Sequence, residues 1–225
     1  MPLPTEYATF PRRESRSRFV ADRFAPYLRG SVLDVGCFEA PLRDILKDGS
    51  YTGVDIAGRP DIELDLESVE RLPFDDGSFD TVICVEVLEH LDNLHAMFDE
   101  LVRVASRDII ISLPNCWNTA RRRLEKGRGK IAHLGLPVER PVNRHKWFFN
   151  TAEARDFVRA KADEQGVVIE ELFTTEKPRS AILRGLRKLR YPGERYQNLF
   201  THTIWVRLRK PESGLSEAGR ASSTP

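Results

Sequence analysis

Acidic side chains follow four short apolar segments in the first half of the chain. The first segment carries Asp34, with Gly36 two residues later, and the second reaches Asp55, 21 residues after Asp34. An acid, a glycine turn and a following helix bring a nucleotide-like ligand close to backbone N–H groups. An acid about 20 residues downstream is well placed to accept hydrogen bonds from two ribose hydroxyls. This spacing therefore predicts a nucleotide-like ligand at the ends of the first two segments.

The third and fourth segments extend this candidate site. The third ends in Asp65-Leu66, a carboxylate and an apolar neighbour that suit an adenine amine and its ring face. The fourth runs into the sequence VEVLEHL, which contains Glu86, Glu89 and His90. We assign Glu86 to the site and Glu89 to the first turn of a helix, where the macrodipole favours an acid. His90 is either a further site residue or an ordinary surface histidine.

Strand-like and helix-like patterns alternate along the chain and must position these acids. Alternation of this kind favours a mostly parallel sheet covered by helices on both faces. We expect one of the last two predicted strands to be antiparallel to the rest of the sheet, because these two strands lack a regular crossover helix. Segment 116–149 fits neither the helical nor the strand period, and we interpret it as an insertion between the fifth predicted strand and the next helix. The predicted strands are 31–35, 51–56, 62–66, 79–85, 108–112, 167–173 and 200–208, and helices are predicted over 12–28, 41–47, 151–165 and after the fourth strand.

Five stretches in this order and spacing resemble the class I S-adenosylmethionine-dependent methyltransferases. They are VLDVGC, GVDI, LDLES, LPFDDGSFDTVICVEVLEHL and DIIISLPN, and the resemblance covers about residues 15–175. The stretch LPFDDGSFD is typical of the small-molecule branch of that family. The resemblance implies an α/β, Rossmann-like, seven-stranded sheet with an antiparallel last strand. It also implies S-adenosylmethionine as cofactor. We expect one domain over 1–210, with 116–149 as an acceptor-side cap.

The resemblance also implies a role for each matching residue. Asp55 would hold the ribose, Ile56 would flank the adenine, and Asp65 with Leu66 would contact it. His90 and His145 would face the acceptor and, if the acceptor is a hydroxyl, help to remove its proton. The residues expected around the methionine part of the cofactor are Asp34, Gly36, Cys37, Phe38 and Ala40, with Glu86 and Val87 beside its end.

The loop after the first strand departs from the family pattern. The usual GxGxG reads Gly36-Cys37-Phe38-Glu39-Ala40 here, which removes the glycines that favour positive φ and the closest backbone approach. We expect weaker cofactor binding, with Phe38 either packing on the methionine tail or partly filling its site. A dinucleotide oxidoreductase fits less well, because GxGxxG would need glycines at Phe38 and Pro41.

The distribution of charge is uneven although the formal net charge is only +1. Residues 31–102 carry 4 basic and 18 acidic side chains, whereas residues 103–210 carry 24 basic and 11 acidic ones. We therefore expect the second half to build the acceptor side and to favour an anionic acceptor, such as a phosphate- or nucleotide-linked sugar. The tail 211–225 has too little apolar content to order itself and is predicted to be disordered.

Composition excludes several classes of protein. No stretch approaches the roughly 20 apolar residues of a membrane-spanning helix. The N-terminus lacks the pattern of a secretory signal. The three cysteines form neither a CxxC nor a CxxH pair, so no metal site is predicted and a reducing cytoplasm is the expected location.

Residues 179–190 have the pattern of a basic amphipathic helix. Such a helix can lie on an anionic membrane surface or bind an anionic substrate, and the alternative is ordinary core packing with a solvated back. The first interpretation would place the protein at the inner face of the membrane.

The sequence therefore predicts an S-adenosylmethionine-dependent methyltransferase that acts on a small hydroxylated metabolite or sugar, including anionic or lipid-linked glycan precursors. A second hypothesis is a partner-dependent or non-catalytic protein of the MetW type, which SLPN, Trp117 and the following arginines resemble. The third is an RNA methyltransferase, suggested by the basic second half. It ranks last because the chain carries no appended RNA-binding module.

Overall fold

The computed structural model describes residues 1–131, 133–139, 141 and 143–211, and its fold is organised around one mixed sheet. The strand order is β1-β7-β8-β6-β5-β2-β3-β4. Strand β8 is antiparallel to both of its neighbours, β6 and β7, and the other pairs are parallel. The strands are β1 Thr5–Tyr7, β2 Ser31–Val35, β3 Ser50–Asp55, β4 Ile62–Glu63, β5 Phe79–Val85, β6 Ala105–Pro114, β7 Val168–Glu176 and β8 Thr203–Arg209.

Helices cover both faces of this sheet. Ile109 and Ile111 of β6 belong to one buried apolar cluster and Ile110 between them belongs to the other, as the alternation of side chains in a strand requires. The predicted fold class, with its antiparallel last strand, is confirmed. The helices are α1 Arg13–Arg23, α2 Pro41–Ile45, α3 Leu94–Val104, α4 Cys116–Lys126, α5 Thr151–Gln165, α6 Ala181–Arg190 and α7 Glu194–Phe200, with single 3₁₀ turns at Ala25–Tyr27 and Leu88–His90.

The sheet has an eighth strand that the sequence did not predict. Strand β1 pairs in parallel with β7, with Thr5 opposite Thr174. Three residues are too few to show a strand period, so the pairing depends on the partner strand rather than on local pattern.

Several predicted segments differ in extent from the structure. The predicted helix 12–28 ends as α1 at Arg23 and is followed by a 3₁₀ turn, and the predicted strand 62–66 ends at Glu63. Residues 116–126 form helix α4, although 116–149 fits neither the helical nor the strand period in sequence. The Asn115 side chain caps the start of α4 by accepting a hydrogen bond from the backbone N–H of Asn118, and Gly127 ends it with positive φ. The predicted strand 200–208 begins at Thr203, because the residues before it form α7.

No helix within the described ranges combines the length and the apolar content needed to cross a membrane. The predicted disordered tail lies outside the described residues, apart from Pro211.

Candidate active site

A cleft of about 380 Å³ opens at the carboxyl ends of β2, β3 and β5. Parallel strands end at the same edge of a sheet, which is why acids far apart in sequence meet there. The loops after three strands and the short β4 segment thus converge on one cavity. The predicted cofactor residues that line it are Gly36, Phe38, Asp55, Ile56, Asp65, Leu66, Glu86 and Val87.

Three further predicted cofactor residues, Asp34, Cys37 and Ala40, do not line this cleft. The Asp34 carboxylate accepts a hydrogen bond of 2.7 Å from the Tyr51 hydroxyl. Burial raises the pKa of Asp34 to about 6, and the Tyr51 hydrogen bond opposes that shift. Burial likewise raises the pKa of the Cys37 thiol to about 12, so this thiol is a packed group rather than a nucleophile.

The loop after β2 keeps positive φ without the expected glycines. Gly36 has φ 83°, Phe38 has φ 49° and Ala40 has φ 48°. The loop is held by hydrogen bonds from the backbone N–H of Gly36 to the Val54 carbonyl and of Phe38 to the Asp55 carboxylate, both 2.8 Å. Positive φ at Phe38 and Ala40 therefore costs about 1–2 kcal/mol of backbone strain for each of these non-glycine residues.

Ala40→Gly is expected to leave the free energy of unfolding within about 0.5 kcal/mol of wild type, because relief of strain offsets the lost methyl group and the greater freedom of the unfolded chain. Ala120 is a matched control, since both alanines are 1% exposed but Ala120 lies inside α4. Ala120→Gly should cost about 1–2 kcal/mol. Urea unfolding measures both, and equal losses would contradict the assignment of strain to Ala40.

Asp55 is fixed at the tip of β3 by the loops around it. One carboxylate oxygen accepts from the backbone N–H of Phe38 at 2.8 Å and the other from that of Ala57 at 3.2 Å. Ile56 beside it is 56% exposed, and the buried Leu66 also lines the cleft. A charged acceptor next to apolar surface suits a nucleoside, with its polar sugar and flat base.

A second cavity, of about 460 Å³, adjoins the cleft. The two cavities share Arg13, Glu86, His90 and Asn143 in their linings. Glu86 has φ 53° and stands at this junction. One of its oxygens lies 2.6 Å from the Arg16 guanidinium, and the other accepts from the Thr203 hydroxyl at 3.0 Å.

The two predicted acceptor-side histidines lie together in the wall of the second cavity. The ring centroids of His90 and His145 are 4.7 Å apart, and His133 stacks on His145 at 5.2 Å. Burial lowers the pKa of His90, and burial with the neighbouring His90 and His133 rings lowers the pKa of His145 to about 4. Both rings are therefore neutral near pH 7. His133 was missed by the sequence analysis, because 116–149 shows no period that would place it.

The prediction for Glu89 is wrong. It lies in a single 3₁₀ turn rather than in the first turn of an α-helix, and it is 1% exposed. Neither carboxylate oxygen has a hydrogen-bond partner among the described residues. Burial, and secondly the Glu86 carboxylate, raise the pKa of Glu89 well above its usual range. The signal available in the sequence was the spacing of Glu86, Glu89 and His90 around one turn.

A third cavity, of about 290 Å³, carries most of the positive charge near the site. It shares Thr119, Lys177 and His202 with the second cavity, so the two are contiguous. We call it the basic annex; its charged lining is Arg121, Arg122, Arg123, Lys177, Arg179, Arg187 and Glu176. The annex places the predicted basic half of the chain beside the second cavity.

Helix α6 does not pack into the core as the alternative interpretation required. No residue of α6 is buried, and Ile182, Leu186 and Leu189 are 77%, 62% and 83% exposed. Its apolar side has no cover among the described residues.

Comparison with known proteins finds similarity over part of the chain. Residues 33–111 match the family described as "Methyltransferase domain". The ubiquinone biosynthesis O-methyltransferase of Paracidovorax citrulli (strain AAC00-1) is 39% identical over 87 residues, which cover 31% of this chain and 37% of that protein. The chain thus spans well under half the length of this curated relative.

Solved structures share the fold at low identity. A SAM-dependent methyltransferase from Archaeoglobus fulgidus superposes with a TM-score of 0.59 and 17% identity, covering 88% of this chain and 95% of that chain. Magnesium protoporphyrin IX methyltransferase from Synechocystis PCC 6803, with bound SAH, gives a TM-score of 0.54 and 17% identity, covering 88% and 83%. At this identity the likeness shows the fold.

Proposed function

We propose that this chain methylates a small, hydroxylated, anionic acceptor. Residues 33–111 match the methyltransferase-domain family, and the chain has the fold of the class I S-adenosylmethionine-dependent methyltransferases. This family uses S-adenosylmethionine as its methyl donor. The observation that carries the proposal is the cleft at the strand ends, where Gly36, Asp55 and Leu66 meet.

The residues of the cleft fit the cofactor. A Cβ at Gly36 would lie 2.2 Å from the Val87 side chain, and its φ is 83°, so this turn requires glycine. In our proposal Asp55 accepts the ribose hydroxyls, Ile56 and Leu66 flank the adenine, and Asp65 accepts from the adenine amine. Asp34, Cys37 and Ala40 support the loop from behind.

S-adenosylmethionine supplies a methyl group on a sulfonium that already carries its leaving group. The protein then has mainly to align the acceptor with that methyl group, and positioning supplies much of the rate. Because the second cavity meets the cleft at Glu86 and His90, we place the acceptor there. His90 and His145 would face the acceptor oxygen. The curated relative is named as an O-methyltransferase, which supports an oxygen acceptor.

Transfer of tritiated methyl groups tests the activity directly. Sugar phosphates and nucleotide-linked sugars would be offered beside their neutral parent sugars, with S-adenosylmethionine as donor. We expect label to enter the anionic acceptors in preference to the neutral ones. Equal labelling of both sets would contradict the anionic class, and no label in any acceptor would argue against methyl transfer to sugars.

The basic annex supports the anionic class of acceptor, because charge-assisted hydrogen bonds to phosphate are among the strong ones. Pyrophosphate serves as the probe. Lys177→Ala is expected to weaken its binding roughly tenfold, because the variant removes one charged contact. Lys126→Ala removes the same charge outside the annex lining and should change affinity by less than about twofold. Titrations at one fixed ionic strength measure both, and equal effects would contradict a specific annex.

We also propose that α6 contacts an anionic membrane surface, where a lipid-linked acceptor would lie. Its exposed apolar residues alternate with arginines and a lysine, the pattern of an interfacial helix. Flotation with phosphatidylglycerol vesicles should recover wild type with the lipid, and Leu189→Ser should reduce that fraction by about half or more. Leu136→Ser removes an apolar group that is 98% exposed elsewhere and is the control. Equal recovery with and without anionic lipid would contradict the contact.

A further inference from the structure

We propose that Glu89, His90 and His145 bind a divalent transition-metal ion in the wall of the acceptor cavity. One oxygen of Glu89 and one ring nitrogen of each histidine lie within 4.8 Å of one another. Ligand atoms at 2.0–2.2 Å from a tetrahedral metal are about 3.4 Å apart, so small side-chain rotations bring the three groups onto one ion. All three residues line the second cavity.

The Glu89 carboxylate is the strongest indication of a missing ligand. The side chain is 1% exposed, and neither of its oxygens has a hydrogen-bond partner among the described residues. A buried carboxylate without a partner is costly, and such groups are normally paired or coordinate a metal. A cation between Glu89 and the two histidines would supply the interaction that this carboxylate lacks.

The histidine rings are already oriented as ligands. The Nδ1 atom of His90 lies 3.0 Å from the Arg144 carbonyl, which can only accept, so Nδ1 carries the proton and Nε2 keeps its lone pair. That Nε2 atom lies 3.8 Å from a Glu89 oxygen. Metal-binding histidines commonly donate their other N–H to a backbone carbonyl in this way.

The loop that carries His145 is tied to the same turn as Glu89. The backbone N–H of Lys146 donates to the Glu89 carbonyl at 2.8 Å, and that of His145 donates to the His133 carbonyl at 2.9 Å. The Sγ atom of Cys116 lies 3.7 Å from Nδ1 of His145 and orients its ring. The three ligand groups are thus held by backbone contacts, which is the preorganisation that a metal site needs.

Neighbouring cations are largely engaged elsewhere. The Arg16 guanidinium pairs with Glu86 at 2.6 Å. Arg13 stacks over the Phe38 ring at 4.7 Å on the cofactor side. Lys177 also lines the cavity, toward the basic annex. None of these three cations has a hydrogen bond to the Glu89 carboxylate among the described residues.

The donor set indicates the class of metal. Two imidazoles and one carboxylate suit Zn²⁺, Mn²⁺ or Fe²⁺ better than Mg²⁺, which prefers oxygen ligands and water. Three protein ligands leave open positions toward the cavity. This step rests on the proposed function: a metal held there would lower the pKa of a bound acceptor hydroxyl, and its proton would pass to solvent water. His90 and His145 would then serve as ligands instead of bases.

Metal binding can be measured without any turnover. The full chain, stripped with a chelator, would be titrated with ZnCl₂, MnCl₂ and MgCl₂. Wild type is expected to bind one Zn²⁺ or Mn²⁺, with Mg²⁺ roughly tenfold weaker or more. Glu89→Gln and His145→Ala should each weaken Zn²⁺ binding about tenfold or more. His95→Ala removes an exposed histidine outside the cluster and should bind as wild type does.

Two controls make the outcome decisive. Glu89→Gln is nearly isosteric with wild type, and circular dichroism without metal checks that it folds. This variant therefore tests the metal site even if His145→Ala does not fold. Equal Zn²⁺ affinity in wild type and Glu89→Gln, or no saturable binding to wild type, would overturn the metal site. A parallel titration with S-adenosylhomocysteine separates the two proposals, because loss of cofactor binding alone bears only on the proposed function.

Discussion

Replacing Asp55 by alanine is expected to weaken S-adenosylhomocysteine binding about 100-fold. The variant removes the proposed acceptor of two ribose hydrogen bonds, and hydrogen bonds to a charged group contribute about 1.5–3 kcal/mol each. It also removes the anchor of the loop, since the Asp55 carboxylate accepts from the backbone N–H groups of Phe38 and Ala57. A loss of about 2.7 kcal/mol corresponds to the expected factor, measured by isothermal titration.

Asp61 provides the control for this experiment. Its carboxylate also accepts from a backbone N–H, that of Gly53 at 2.7 Å, but it does not line the cleft. Asp61→Ala should therefore change cofactor affinity by less than about threefold, because it leaves the ligand contacts intact. Similar losses in both variants would mean that the effect of Asp55 is general destabilisation.

Trp205→Ala is expected to lower the free energy of unfolding by about 3–5 kcal/mol, the usual cost of truncating a buried large aromatic side chain. Trp205 is 0% exposed in the centre of β8. Its ring packs against Phe19 at 5.1 Å and Phe24 at 6.2 Å, and its Nε1 donates to the Thr175 hydroxyl at 3.2 Å. Deletion leaves a cavity between the sheet and α1 and removes one hydrogen bond that the Thr175 hydroxyl accepts.

Urea unfolding measures this loss, with Trp117→Ala as the control. Trp117 is 40% exposed on α4, so its removal should cost less than about 1 kcal/mol. Equal losses for the two tryptophans would contradict the assignment of Trp205 to the core.

The sheet and the meeting of most predicted site residues in one cleft were predictable because their signals are local. A parallel strand that is buried on both faces appears in the sequence as a short apolar run. The direction of the chain then fixes which residue lies at the carboxyl end of that strand. Asp55, Asp65 and Glu86 follow neighbouring strands of the sheet, so they lie at the same edge and line one cleft. The charge pattern likewise anticipated the basic annex, since arginine and lysine are concentrated after residue 103.

The features that were missed depend on tertiary contacts. Strand β1 is three residues long and exists through its pairing with β7. Phe38 and Ala40 adopt positive φ against local preference, where the N–H of Phe38 donates to Asp55 of β3 and that of Ala40 donates to the Cys37 carbonyl. Glu89 resembles any first-turn acid in sequence, and only the packing of the His145 loop against it reveals a buried, unpartnered carboxylate.

The central claim is that the cleft at the ends of β2, β3 and β5 binds the methyl donor. Isothermal titration of the wild-type chain with S-adenosylhomocysteine tests it most directly. We predict saturable binding of one molecule per chain that weakens in Asp55→Ala and not in Asp61→Ala. The absence of any binding heat at millimolar ligand would contradict the assignment of this cleft to S-adenosylmethionine.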